Sequence, residues 1–155
     1  MRNLLYRDAG GTRESLGLLI LRVVVGAAFI LHGWPKIQNA FAWMGPSATV
    51  PGFMQALAAA AEFGGGIALV LGVLTPLAAI GLMATMGGAL YMVHLPARHP
   101  FVPANPGDPS YELAAVYLAA AVALLLTGPG RFSLDALLFR GSACCGVPSK
   151  ADAMA

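Results

Sequence analysis

Long apolar stretches alternate with short polar or proline-rich breaks along the chain, and the breaks divide it into helices. Leu16 to Lys36, LGLLILRVVVGAAFILHGWPK, is a single apolar run, and crossing a bilayer as a helix takes about 20 such residues. Ser15 is a plausible N-cap, and Pro35 disfavours helix at the residue before it, so a first helix is expected from Ser15 to Trp34. A second runs from Phe53 to Leu74, rich in Ala and Gly, with Gly64-Gly65-Gly66 near its middle. Small residues of this kind let membrane helices approach closely. The turn from Gly72 to Pro76 is short, so a third helix, Pro76 to His94, is expected as its antiparallel neighbour. A fourth runs from Tyr111 to Thr127 and stops at Gly128-Pro129-Gly130. Ser133 is placed to cap a short helix, Leu134 to Arg140, whose leucines and Phe139 suit a membrane surface. Residues 35–52 are broken by Gly and Pro yet carry Phe41 and Trp43, and with Trp34 they fit an interfacial belt. Residues 95–110 hold Pro96, Pro100, Pro103, Pro106 and Pro109 and read as a stiff, extended cap.

Composition turns this pattern into a membrane protein. Of 155 residues, 58% are hydrophobic and 10% charged, against roughly 25% charged in soluble domains. Mean hydropathy is +0.74. The expected fold is all-α, a four-helix transmembrane bundle with short interfacial segments: an arm at 1–14, a membrane domain at 15–140 and a flexible tail at 141–155. The first apolar run is too long for a signal-peptide core and is read as a retained helix. A net charge of +2 does not suggest nucleic acid as a partner. Cys144 and Cys145 are adjacent and form no disulfide framework. Lipidation, metal binding and inertness are their readings, inertness being preferred. Arg2, Arg7, Arg13, Arg131, Arg140 and Lys150 share one side of a four-crossing chain, against Lys36 and Arg98 on the other. The positive-inside rule then puts both termini in the cytoplasm.

Ionisable residues inside the apolar segments are the candidates for chemistry, because each is costly in hydrocarbon. Arg22 lies within the first helix and Glu62 within the second. They are expected to pair inside the bundle, either as a polar site or as a clamp that neutralises both charges. A second group is expected at the opposite face from the termini: His32, Lys36, His94, Tyr111 and Glu112, with His99 nearby. Histidine and carboxylate there suit a quinone head group, exchanging protons with its oxygens. They also suit a metal ion or a bis-histidine haem between His32 and His94; the bland alternative is a set of interfacial histidines bonded to loop backbone. No haem or metal spacing motif is evident.

Taken in order, Leu21-Arg22, Gly26, Phe29, His32-Gly33, Lys36, Glu62 with its glycines, His94, Tyr111-Glu112 and Gly128-Pro129-Gly130-Arg131-Phe132-Ser133-Leu134-Asp135 resemble the DoxX family of small four-helix membrane proteins. The resemblance covers residues 15 to 138. It implies a subunit of a quinone-linked oxidoreductase system in a bacterial inner membrane, with a partner protein supplying or receiving electrons. It also implies that Arg22, His32, Lys36, Glu62, His94 and Glu112 are the family-like polar positions. Two other classes stand beside it: a non-catalytic membrane anchor or assembly subunit that recruits a partner protein, and a small-solute or metal carrier, which would need a homo-oligomer to build a pore. Cys144 and Cys145 lie outside the pattern.

Overall fold

A computed structural model describes residues 11–140. The arm before residue 11 and the tail with Cys144 and Cys145 lie outside the described residues. The elements, in order, are α1 (Thr12–Gln38), α2 (Gly52–Leu71), α3 (Thr75–Ala89) continued by a π-helical turn (Leu90–His94), α4 (Glu112–Thr127) and α5 (Leu134–Arg140). The described chain is an all-helical four-helix membrane bundle with a short fifth helix across one end. Three segments, Thr12–Gln38, Gly52–Leu71 and Thr75–His94, are long and apolar enough to cross a membrane. The fourth, Glu112–Thr127, has 16 residues, about 24 Å of helix.

Three boundaries differ from the sequence expectation. α2 stops at Leu71, three residues before Leu74, with Gly72 as its left-handed cap. Ser15 does not cap α1, which begins three residues earlier at Thr12. The Ser15 hydroxyl is buried and accepts a hydrogen bond from the Arg131 N–H at 3.4 Å. Nor does Pro35 end the helix, which continues to Gln38. Pro35 is absorbed in its last turn, where Lys36 is anchored by α2, and this outweighs the local preference before a proline. The Ser133 cap is formed as expected: its hydroxyl accepts the Ala136 N–H at 3.0 Å.

Glycine sets the register of α1 on α2. A methyl group added at Gly26 would meet the Gly66 carbonyl oxygen at 2.7 Å, and one at Gly33 would meet the Phe63 nitrogen at 2.6 Å. Backbone lies on backbone at both places, which no larger residue permits. A single core joins all four helices: Val25 and Phe29 of α1, Leu69 of α2, Ala78, Leu82 and Met86 of α3, and Ala114, Ala121 and Leu124 of α4. The outer faces are apolar as well; Leu31, Leu57, Leu77, Leu126 and others stand exposed. In water that surface would be a liability; in lipid it is the solvent-matched face. Leu134, Leu137 and Leu138 of α5 are likewise exposed.

Candidate functional site

The polar residues divide between two ends of the bundle. One end holds the α2–α3 turn and the segment between α4 and α5, and it closes on Arg22. The other end holds the two long loops, and it closes on Glu62.

At the first end, Arg22 is fully buried and donates through Nη2 to the Phe132 carbonyl. Gly72, in the left-handed conformation (φ 68°), leaves room for the guanidinium, which any Cβ there would strike. Asp135 is also fully buried and binds the start of α3: Oδ1 accepts the Leu74 N–H at 2.8 Å and Oδ2 the Thr75 N–H at 2.9 Å. The Asp135 N–H in turn donates to the Gly72 carbonyl at 2.8 Å. A carboxylate at a helix N-terminus satisfies donors that have no partner within the helix. Arg22 and Asp135 both lie against Gly72. The Gly128–Asp135 segment thus folds over the end of the bundle as a latch on α1 and α3.

At the second end, Lys36 Nζ lies 2.6 Å from both Oε1 and Oε2 of Glu62. Glu62 is buried, while the Lys36 side chain keeps 24% of its surface. The ammonium also sits 4.6 Å from the centre of the Trp43 ring, a cation–π contact. Trp43 is fixed in turn, its Nε1 donating to the Gln55 carbonyl at 2.9 Å. The buried Gln55 side chain accepts the Met44 N–H at 3.1 Å and donates to the Val50 carbonyl at 2.9 Å. It therefore pins the whole 39–51 loop over the ion pair.

The expected Arg22–Glu62 pair is not formed. Antiparallel register places Gly33 against Phe63, next to Glu62, and Arg22 level with Gly72. Arg22 and Gly33 are separated by roughly 16.5 Å along α1 at helical rise. No arginine reaches that far, whereas Lys36 lies one turn beyond Gly33 on the same helical face. Glu62 is paired with Lys36 at one end, while Arg22 at the other is held through Nη2 by the Phe132 carbonyl, its Nε and Nη1 buried without a partner among the described residues.

The remaining candidates gather at the Glu62 end without forming one cluster. His32 is exposed on α1, its ring edge-on to Tyr117 of α4 at 6.2 Å between centroids. Tyr117 also tilts against Phe29 at 4.9 Å. His94, half-buried, meets His99, with 3.0 Å between their Nδ1 atoms. Tyr111 packs on Phe101 with centroids 5.2 Å apart, and Glu112 is exposed at the first turn of α4. Lys36, expected among the ligand-facing groups, is instead engaged by Glu62. Sequence reasoning missed Gln55 as a site builder; a lone glutamine at the start of an alanine-rich helix was the available signal. Asp135 stood in the family-like Gly128–Asp135 stretch without a role, and for Tyr117 the sequence left cavity lining and packing equally open.

Among the family-like stretches, the run from Arg22 to Lys36 reaches both ends of the bundle and Gly128–Asp135 closes the first. A DoxX family model matches residues 17–95, about half of the chain. The chain belongs to the DoxX family. Its relatives include CatD of Bacillus subtilis (strain 168), provisionally named an oxidoreductase, 32% identical over 130 residues, covering 82% of this chain and 90% of CatD. The inner membrane protein YqjF of Escherichia coli (strain K12) is 33% identical over 131 residues, covering 81% of this chain and 94% of YqjF. The membrane protein Rv3486 of Mycobacterium tuberculosis is 30% identical over 149 residues, covering 84% and 86% of the two chains. No solved structure matches this DoxX chain at a significant level.

Proposed function

We propose that this DoxX protein is the membrane subunit of a quinone-linked oxidoreductase system, taking the quinone head group at the end of the bundle closed by Lys36 and Glu62. The observation that carries this reading is His32: an imidazole on the lipid-facing side of α1, one turn inward of Lys36, backed by the Tyr117 and Phe29 rings. A quinone approaches from lipid, so its head group needs an aromatic wall and a hydrogen-bonding group reachable from the acyl chains. His32 and Tyr117 supply both. Glu112, His94 and Tyr111 stand at the same end, where protons exchange with water. Such side chains bind, orient and protonate; electrons come from a partner protein. CatD, with its oxidoreductase name, supports the class of reaction. The membrane is an inner membrane in this reading, as in the name of YqjF, with both termini cytoplasmic on the distribution of basic residues.

The test is thermal unfolding of the detergent-solubilised protein with a short-chain quinone analogue. A ligand at a hundred times its Kd adds about 2.7 kcal/mol to the stability of the protein that binds it. The wild type is expected to gain stability with analogue concentration, and His32→Ala and Glu112→Gln to gain much less. No gain in the wild type would overturn the reading and favour a non-catalytic anchor.

A further inference from the structure

We propose that His94 and His99 form a two-imidazole site for a divalent transition-metal ion, copper(II) above all. This goes beyond the quinone reading and does not depend on it.

The backbone is arranged to bring these two rings together. After Ala89 the helix widens into a π-helical turn, with the Leu95 N–H donating to the Leu90 carbonyl at 2.9 Å. Such turns are rare and frequently found at functional sites. The chain then bends back sharply. The His99 N–H donates to the His94 carbonyl at 3.1 Å, and Arg98 adopts a left-handed conformation at φ 52°. A non-glycine residue is disfavoured in that conformation, so the surrounding turn must hold it. The loop is tied down on its far side as well: the Tyr111 N–H donates to the Pro100 carbonyl at 3.2 Å, and Phe101 packs on Tyr111. His94 and His99 are therefore held from both sides, their ring planes at 70° and both half-buried.

The spacing is compatible with an ion bridging the two rings. Imidazole nitrogen binds such metals at about 2.0–2.1 Å. Two nitrogens 3.0 Å apart subtend roughly 90° at an ion held at that distance. That is the angle between neighbouring ligands in tetragonal copper(II) or nickel(II), and narrower than tetrahedral zinc prefers. Copper(II) also stands highest in the affinity order for such ligands. Without metal, one Nδ1 donates its proton to the other. In the ligating form both rings are neutral and carry their protons on Nε2, so that proton shifts from Nδ1 to Nε2 with none released. Among the described residues no group of three or more His, Cys, Asp or Glu converges. The ion thus has two protein ligands and open positions for solvent. Arg98 lies exposed in the same turn, and Glu112 opens α4 at the same end.

Copper(II) titration tests this on the full chain, with Cys144→Ser and Cys145→Ser to remove thiols that would reduce or capture copper. One equivalent is expected to bind, with an electron paramagnetic resonance spectrum split by two imidazole nitrogens. His94→Gln and His99→Gln are each expected to weaken binding by roughly tenfold or more, since loss of a group merely supporting a ligand already costs that much. Each should also remove one nitrogen from the splitting. His99→Gln lies in the loop, and unchanged thermal unfolding will show that it folds even if His94→Gln does not. Equal affinity and an unaltered spectrum in His99→Gln would overturn the proposal, as would wild-type binding no tighter than that of the double His94→Gln, His99→Gln variant.

Discussion

Lys36 holds Glu62 with its ammonium equidistant, at 2.6 Å, from both carboxylate oxygens. Glu62 is buried within an apolar helix, and Lys36 reaches it only because α1 runs on through Pro35. Breaking such a pair from one side leaves a charge without its partner, at a cost of about 3–5 kcal/mol when both are buried. With Lys36 partly exposed, Lys36→Met is expected near the lower end of that range. Lys36→Met combined with Glu62→Leu should recover most of the loss. Thermal unfolding in detergent measures both. Equal stability of Lys36→Met and wild type would show that the pair does not hold this end of the bundle.

Close packing of α1 on α2 gives a second prediction. Gly33→Ala would press a methyl group onto the Phe63 backbone, and Gly66→Ala onto the Gly26 carbonyl at 2.8 Å. Overpacking of this kind costs about 1–3 kcal/mol. Gly64 faces open space, so Gly64→Ala should leave stability unchanged or slightly raised. A ranking in which Gly64→Ala is the most damaging of the three would contradict the register described here.

The latch at the other end predicts a local effect. Asp135→Ala removes the acceptor for the Leu74 and Thr75 N–H groups and a buried carboxylate that shares Gly72 with Arg22. Loss of a helix cap costs about 0.5–2 kcal/mol. Hydrogen exchange should rise in residues 72–76 and 128–136 while the Lys36–Glu62 end stays protected. A uniform rise along all four helices would mean that the latch is not a separate unit.

Helix positions were legible in the sequence because in a bilayer hydropathy decides which segments are helical, and caps such as Ser133 act locally. Pairing of charges was not, because it depends on register. Nothing local to Arg22 or Glu62 says that Gly26 lies on Gly66 and Gly33 on Phe63, and that contact moves Arg22 roughly 16.5 Å out of reach. The same holds for the loop-end group. His32, His94 and Glu112 do come to one end, but the fold gives His32 to Tyr117 and His94 to His99. The Tyr117 contact depends on how α1 meets α4. The His94–His99 contact depends on a turn with a left-handed Arg98, which no residue preference announces.

Orientation in the membrane is a separate expectation. A reporter active only outside the cytoplasm, fused after residue 155, should be silent, and one inserted near Pro106 should be active. The reverse pattern would invert the bundle and place the His32 end at the cytoplasmic surface.

The most direct test of the proposed quinone site is photolabelling of the purified protein with an azido-quinone, followed by peptide mapping. Label on the segments holding His32 and Tyr117, competed away by unmodified quinone, is the predicted result. Label spread evenly over the lipid-facing residues, or gathered at the Arg22 end and unaffected by competitor, would contradict it.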